Sequence, residues 1–593
     1  MAAKLWRGWV PGIDTALSYQ RSWLVSDIRA GIVLTTLLIP VGIGYAEVAG
    51  LPPEAGLYAT IIPAFAYAVF GPSRILVLGP DSALAPIIAV AIMPLALGDS
   101  ARAVALAGLL AIMVGLILLV GGVLRLGFVT DLLSKPIRVG YLNALGLLVI
   151  ISQVPALLGF SVKTESPFTG VVGIVGGIGA GKVDLPATLI GLGSLVVIIV
   201  LSWRRSRVPG VLAAVVGSML LTAILGLQND VPVVGAMPRG FPAPALGSLQ
   251  WADVAALVLP AFGIALIAFA DTAVLSRTFA ARRGENVSGS REMSAIGLSN
   301  IAGGLFGGFP VSASSSRTPV AERAGAQSQL TTVVGALLIV VFMLFAPGLT
   351  AYLPSAAIAA VVIVAAAGLV DVRGFLALLK MSTSDALLSL ASFIAVLVVG
   401  VIEGIGVAII LSLGAFVSHA WRPYRAELGR VRGLRGYHDL SRHPEGERLT
   451  GIVIVRFDAP LFFANGGIFD DYIRATVTAA GDDIHTVILA AEPITEIDTT
   501  AVEELIELDD FLASRGIRFI FAEMKGPVKD TLREYGLGTR FPPERFASTV
   551  GTAVDEATGT LRGDPDGTRW DDDGDGDGDG DSDGRGGVDR GEI

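Results

Sequence analysis

A succession of apolar segments, most of them roughly 17–25 residues long, runs from Ile28 to His419. A helix of about 20 apolar residues crosses the hydrocarbon core of a bilayer. Only 16% of the residues are charged, against about a quarter in soluble domains. The pattern excludes a wholly soluble protein and predicts a mainly α-helical polytopic membrane protein. We place about fourteen spans, numbered in chain order, at 28–49, 54–70, 75–97, 103–124, 139–158, 185–203, 208–227, 252–277, 292–306, 311–322, 330–345, 354–370, 385–401 and 404–419.

Arginine and lysine residues concentrate in every second loop between these spans. Positively charged loops tend to remain in the cytoplasm, so the alternation predicts an even number of spans with both termini cytoplasmic. We expect a multi-pass protein of the cell membrane, of the bacterial inner-membrane type, in contact with membrane lipid. The loops on the positive side hold Arg74, Arg125, Lys135, Arg138, Arg204, Arg205, Arg207, Arg282, Arg283, Arg323, Arg373, Lys380, Arg422 and Arg425.

A polar stretch at 228–250 divides the spans into two groups of seven. An odd number of spans in each half gives the halves opposite orientations, which is the inverted repeat of secondary transporters. The third span of each half is interrupted by glycine and proline, at Gly79-Pro80 and at Phe309-Pro310. Interrupted spans at corresponding positions indicate a binding site near the middle of the membrane.

Both interruptions are suitable helix starts, because proline fits the first helical turn. Helix N-termini present free N–H groups and a positive dipole end to an anion. Close helix packing is the alternative explanation for the small residues. The hydroxyl groups available as further donors belong to Ser82, Ser312, Ser314 and Ser315.

Charged residues within the spans are costly and often functional. Arg317 is predicted about two turns into span 10. There it provides either positive charge beside an anion or one partner of an ion pair with Glu47 or Asp271. Asp271 in span 8 is the clearest intramembrane acid, and a proton or cation on it would offset the charge of a bound anion. Asp81 is either an N-cap or part of the cation site, and Glu47 is either interfacial or a further coupling acid.

The sequence turns soluble after Arg425. Strands around 451–457, 485–490 and 517–522 alternate with amphipathic helices at 469–480 and 502–514, which predicts a small α/β domain. The last 33 residues hold twelve acids and four arginines, so we expect a solvated, disordered tail rather than a nucleic-acid-binding surface. The predicted divisions are an N-terminal segment 1–27, repeats at 28–227 and 251–420 around the extracellular connection 228–250, a linker 421–448, the α/β domain 449–555 and the acidic tail 556–593.

An enzyme is the least favoured class. The chain has no cysteine, and its four histidines lie at or beyond the last span. Neither a metal site nor a cofactor is predicted, and we find no nucleophile–base pair or nucleotide-binding loop.

Several motifs resemble those of the SulP family, the sulfate permeases. They follow the family's order from about Leu24 to Ser548, and they include a part similar to a STAS domain. The motifs are Leu38-Ile-Pro-Val-Gly-Ile-Gly-Tyr45, Ala49-Gly-Leu-Pro-Pro53, Gly71-Pro-Ser-Arg74, Gly79-Pro-Asp-Ser82, Gly297-Leu-Ser-Asn300, Gly307-Gly-Phe-Pro-Val-Ser312, Ser316-Arg317, Leu461-Phe-Phe-Ala-Asn465 and Ile497-Asp-Thr-Thr500.

The resemblance implies a core of spans 1–4 and 8–11, a gate of spans 5–7 and 12–14, a homodimer, and elevator-like movement of the core. It also implies a small inorganic or carboxylic anion bound between spans 3 and 10, with Arg317 beside it and Asp271 as the coupling residue. Our interpretation of the interrupted spans adds Gly79, Pro80 and the four serines to this site. Thr499 lies where similar regulators carry a phosphorylated serine, although a capping box at Thr500–Glu503 explains the same residues.

Sulfate is the default substrate of this family, and the coupling ion is expected to be a proton. Leu275, one turn beyond Asp271, offers no oxygen to sodium, which remains the alternative ion. A bicarbonate or dicarboxylate symporter is the principal rival function. A passive anion channel is less favoured, because a channel needs no coupling acid, and a nucleobase carrier does not fit the STAS-like part.

Overall fold

The computed structural model describes residues 10–127, 134–162, 167–204, 208–240 and 249–560. The chain divides into two compact units, Met1–Ala415 and Phe416–Ile593. The acidic tail from 561 onward, loop residues Arg205 and Arg207, and part of the 228–250 connection lie outside the described residues.

Every predicted span of the first half overlaps a helix. The interrupted third span is a short strand followed by a helix. One helix between spans 5 and 6 was missed, because its 13 residues are fewer than a membrane crossing needs. The elements are α1 Pro11–Leu17, α2 Leu24–Val48, α3 Pro53–Phe70, β1 Leu78–Gly79, α4 Ala85–Ala96, α5 Ser100–Val123, α6 Lys135–Leu157, α7 Pro167–Gly179 (the missed helix), α8 Leu185–Trp203 and α9 Gly210–Leu225.

The second half repeats this order. Its third span is again a short strand followed by a helix, and a short amphipathic helix, α15, takes the position that α7 has in the first half. The elements are α10 Trp251–Arg282, α11 Gly289–Leu305, β2 Ser312–Ala313, α12 Arg317–Arg323, α13 Leu330–Phe345, α14 Ser355–Ala367, α15 Val372–Met381, α16 Thr383–Val398 and α17 Val401–Trp421.

Helix lengths agree with a membrane protein built partly from broken spans. In the described part of the chain, six helical stretches are long and apolar enough to cross a bilayer unaided. Most of the other predicted spans coincide with shorter apolar helices. The six stretches are Arg21–Val48, Ser100–Val123, Lys135–Leu157, Leu185–Trp203, Trp251–Arg282 and Ser355–Met381.

Contacts between the halves have the symmetry of an inverted repeat. Helix α5 packs against α10 and α11 of the second half, and its counterpart α13 packs against α2 and α3 of the first. In the same way α6 packs against α16, and its counterpart α14 packs against α8. Each of these contacts therefore has an equivalent in which the two halves are exchanged. This is the pattern of the predicted seven-plus-seven repeat.

A carboxylate near the start of each half joins it to the other half. Asp27 of α2 accepts hydrogen bonds from the backbone N–H of Gln327 at 2.7 Å and from Ser328 Oγ at 2.7 Å, just before α13. Its counterpart Asp253 of α10 pairs with Arg102 of α5 at 2.7 Å. The first helix of each half is therefore fixed to the start of the other half's fourth span.

Glu292 of α11 is a fully buried acid held by hydroxyl groups. Ser73 Oγ and Ser276 Oγ each donate to its Oε2 at 2.9 Å, and the Tyr67 hydroxyl donates to Oε1. These donors come from α3, from the segment before β1 and from α10. Charge-assisted bonds are about twice as strong as neutral ones, so Glu292 ties together three spans and the segment before β1.

The second unit contains a six-stranded sheet, whose strands β3 to β8 are numbered in chain order with the bounds given at the end of this paragraph. Their order in the sheet is β4-β3-β5-β6-β7-β8. Strands β5 to β8 pair in parallel and β3 pairs antiparallel with both neighbours. One apolar cluster includes residues of α18, α19 and α20, and a second includes residues of α21. The elements are β3 Arg425–Arg430, β4 Tyr437–Asp439, β5 Ile452–Phe457, α18 Gly466–Ala480, β6 Thr486–Ala490, α19 Thr499–Ser514, β7 Arg518–Ala522, α20 Gly526–Glu534, β8 Phe546–Ala547 and α21 Val550–Thr558.

Replacing Glu292 by Gln is expected to lower the free energy of unfolding by about 2 kcal/mol, since it removes the charge that three buried hydroxyls bind. Thermal unfolding in detergent, followed by tryptophan fluorescence, measures the loss. Glu403→Gln at the exposed start of α17 is the matched control and should leave unfolding unchanged. Equal losses in both variants would contradict the assigned role of Glu292.

Candidate anion-binding site

The two interrupted spans meet as a pair of short strands, Leu78–Gly79 and Ser312–Ala313, and we call this meeting point the crossing. β1 and β2 pair antiparallel, with Leu78 opposite Ala313 and Gly79 opposite Ser312. The expectation that helices begin at Gly79-Pro80 and Phe309-Pro310 is wrong, because α4 begins at Ala85 and α12 at Arg317. Strand pairing keeps Leu78–Gly79 and Ser312–Ala313 extended, and each helix starts a few residues later, after a turn at 82–84 or 315–316.

Side chains of the surrounding helices hold this strand pair in place. Asn300 of α11 accepts from the Val311 backbone N–H at 2.8 Å and donates to its carbonyl at 3.1 Å. Thr272 Oγ1 of α10 accepts from the Ala313 N–H at 3.1 Å. The Val77 N–H donates to Thr318 Oγ1 at 3.2 Å. The crossing is thus fixed by spans 8, 9 and 10 together.

Arg317 lies at this crossing with much of its hydrogen-bonding capacity unused. It is the first residue of α12, so the prediction that it lies two turns into the helix is wrong. Its side chain is buried, with 1% relative exposure, and Nη2 donates to the Pro80 carbonyl. Among the described residues, Nε and Nη1 have no hydrogen-bond partner. A buried guanidinium with unmade bonds is costly, which favours an anion as the missing acceptor.

Ser312 and Gly79 complete the immediate surroundings of Arg317. Ser312 Oγ is buried and, within the described part of the chain, also has no partner. A Cβ atom on Gly79 would lie 3.1 Å from Arg317 Nη1 and 3.4 Å from Nη2. Glycine therefore gives the guanidinium room beside the strand.

The other predicted serines differ in their environments. Ser314 Oγ accepts from the Arg317 backbone N–H at 3.2 Å, just before α12, whose N-cap residue is Ser316. Ser82 is buried and shares a hydrogen bond with Tyr45 of α2. Ser315 is exposed. Only Ser312 of these residues combines burial with a hydroxyl that has no described partner.

Two of the three predicted acids belong to the surroundings of the crossing. Asp81 is buried, accepts from the Ala83 N–H at 2.9 Å and is an electrostatic neighbour of Arg317. Asp271 is partly exposed, and its electrostatic neighbours are Asp81 and Arg138. Glu47 ends α2, and none of the described charges at the crossing is its electrostatic neighbour. In the described residues, Arg317 forms no ion pair with Asp271 or Glu47.

Two residues of α6 were missed by the sequence reasoning. Tyr141 is buried, and its hydroxyl group has no partner among the described residues. Its electrostatic neighbours are Asp271, Arg138 and Asp81. We assigned Arg138 only to membrane orientation, although its spacing from Tyr141 places both on one helix face. That spacing was the available signal.

In the second unit, the predicted capping box at Thr500–Glu503 is wrong. Asp498 is the N-cap of α19, with Oδ1 accepting from the Ala501 N–H at 2.8 Å. Its Oδ2 accepts from the Phe463 N–H at 2.8 Å. An aspartate is the stronger cap, and the helix starts two residues earlier than a cap at Thr500 would give. Thr499 is exposed at this helix start, and its regulatory role stays a prediction.

Comparison with known proteins gives the family. Residues 24–392 match the model of the sulfate permease family, and residues 443–553 match the STAS domain. A probable sulfate transporter of Mycobacterium tuberculosis is 38% identical over 92% of this chain and 98% of its own length. Human solute carrier family 26 member 6 is 31% identical over 77% of this chain and 63% of its own.

Solved structures agree at the level of the fold. The murine Solute Carrier 26 family member A9 anion transporter, in its inward-facing state, has a TM-score of 0.88 at 20% identity, covering 94% of this chain and 95% of that one. The transmembrane domain of a cyanobacterial bicarbonate transporter has a TM-score of 0.57 at 24% identity, covering 67% of this chain and 98% of its own. The chain belongs to the sulfate permease family of membrane anion transporters and carries the family's STAS domain.

Proposed function

We propose that this protein is a secondary active transporter of a small oxyanion, with sulfate as substrate and protons as the coupling ion. One observation carries the proposal: buried Arg317 has two groups, Nε and Nη1, without partners among the described residues, beside the likewise unpartnered Ser312 hydroxyl. A tetrahedral oxyanion offers several acceptor oxygens to such donors, and hydrogen bonds from a guanidinium to an oxyanion are charge-assisted and strong. The name of the mycobacterial relative, a probable sulfate transporter, supports the same substrate.

Coupling is assigned to Asp271, because of its charge and its neighbours. Asp81 is an electrostatic neighbour of both Arg317 and Asp271, so a dianion entering beside Arg317 meets two like charges nearby. A proton on Asp271 removes one of them, and the anion in turn favours the protonated acid. Each ligand then increases the affinity for the other by the same factor.

Movement of the core against the gate fits the distribution of these residues. Arg317, Asp81 and Asp271 belong to core spans, whereas Arg138 and Tyr141 belong to gate helix α6. Displacement of the core would separate Asp271 from Arg138 and open the anion site to the other side. We extend the proposal to a homodimer in the cell membrane with cytoplasmic termini, which labelling of single introduced cysteines from outside the cell would check.

Uptake into proteoliposomes tests the function directly. We expect sulfate uptake above that of protein-free liposomes, raised several-fold by an inward proton gradient and unchanged by sodium. Bicarbonate, fumarate and chloride complete the panel. Sodium-driven accumulation of bicarbonate or fumarate would replace sulfate as the substrate, and a chloride current without a coupling ion would indicate a channel.

Gly79→Leu is expected to reduce sulfate uptake to near background, because its side chain takes the space beside Arg317 Nη1. Ser315→Trp, which adds a bulky side chain two residues before Arg317, should act in the same way. Gly193→Leu on α8 is the matched control, since a Cβ atom added there would have no described atom within 4 Å. Normal uptake by folded Gly79→Leu protein would place the anion elsewhere.

Asp271→Asn mimics the protonated acid, so it should retain anion exchange across the membrane and lose accumulation against a gradient. Counterflow of labelled sulfate measures the first, and proton-driven uptake measures the second. Asp230→Asn, at an exposed position, is the control. If Asp271→Asn still concentrates sulfate, the coupling acid is another residue, with Asp81 and Glu47 next to be tested.

A further inference from the structure

Arginine side chains surround an open cleft in the second unit. The cleft has a volume of about 620 Å³ and lies along the β3–β4 hairpin and the segment before β5. Arg448 is neutralised by Glu427, with Nη2 2.7 Å from Oε2. The cleft also contains the acids Glu445 and Glu447. Its remaining guanidinium groups are exposed and form no ion pair within the described residues; they belong to Arg430, Arg432 and Arg435.

Charge is distributed unevenly in this unit. Residues 422–449, which contain the cleft, have seven arginines and four acids, whereas residues 450–560 have nine basic and nineteen acidic residues. An acidic segment is therefore repelled by most of the unit and attracted to the cleft.

The chain itself supplies such a segment. Residues 571–583 contain eight aspartates and no basic residue, mostly alternating with glycine. Aspartate carboxylates pair with guanidinium groups through charge-assisted bonds, and glycine lets successive carboxylates turn toward separate arginines. The segment matches the cleft in charge and needs no fixed structure to bind it.

The helix that precedes this segment, α21, packs near the cleft. Ala553 and Val554 of α21 share an apolar cluster against which Tyr437 and Leu449 pack. Leu449 also lines the cleft, so the cleft borders the apolar cluster to which α21 belongs. The chain from Thr560 to Asp571 spans up to on the order of 35 Å when extended, which is ample for the return.

We propose that the acidic segment 571–583 docks in the arginine cleft of its own chain. Each exposed ion pair is weak, but the tether keeps the local concentration of the segment high. The contact depends on charge and therefore weakens with salt, because the screening length falls to about 3 Å in molar salt.

Cross-linking in the full-length protein tests the proposal, since the chain has no cysteine of its own. A short bismaleimide should join Leu434→Cys in the cleft to Gly578→Cys at several-fold higher yield than Ser514→Cys to Gly578→Cys. Ser514 is exposed at the end of α19, whose apolar residues belong to a different cluster from those of α21. Mass spectrometry identifies the linked peptides, and gel electrophoresis separates links within one chain from links between two.

Two neutralising variants should bring the yield down to that of the control pair. One replaces Arg430, Arg432 and Arg435 by Gln, and the other replaces the eight aspartates of 571–583 by Asn. Molar salt should lower the yield in the same way.

Equal yields for the two cysteine pairs, or a yield that neither variant lowers, would overturn the proposal. Links chiefly between two chains would move the docking site to a second copy. If the higher yield of the Leu434→Cys and Gly578→Cys pair is lost in phosphatidylglycerol nanodiscs but kept in phosphatidylcholine nanodiscs, the arginines bind the anionic membrane surface rather than the tail.

Discussion

The pairing of β1 with β2 is the interaction on which the membrane unit depends. Each strand lies in a span that is not helical at this point. Its backbone N–H and C=O groups would be unpaired in an apolar interior, and they bond to the other strand instead. Because the partners come from opposite halves, neither half can complete its own third span. The same pairing places Gly79 beside Ser312 and leaves space for Arg317 at the start of α12.

The inverted repeat explains why buried acids occur where they do. Asp27 and Asp253 occupy corresponding positions at the beginning of the two halves, and each binds the start of the opposite fourth span. Their partners differ, since Asp27 binds hydroxyl and backbone donors and Asp253 binds an arginine. The two halves therefore have an aspartate at the same position, but they bind it with different partners.

Much of the fold could be predicted from the sequence, because apolar length and arginine alternation report on the membrane itself. The broken spans were also visible, since Gly79-Pro80 and Phe309-Pro310 interrupt apolar runs. The exact helix starts were not, because pairing between residues more than 230 apart decides where each strand ends. For the same reason Arg317 was placed two turns too deep.

Tyr141 and Arg138 were not predicted, since the sequence of α6 alone does not indicate that it faces Asp271. The short helices α7 and α15 fell below the length that the sequence criterion requires.

Arg317 and the buried acids of this unit differ in how far their hydrogen bonds are satisfied. Asp27 and Glu292 have their oxygens occupied by donors from several helices, as expected of groups whose burial stabilises the fold. Arg317, Ser312 and Tyr141 are equally buried, yet in the described residues each keeps a polar atom without a partner. All three are donors that suit an anion, and the first two lie where the halves cross. Since unpaired buried groups destabilise a fold, these donors fit the anion site proposed above.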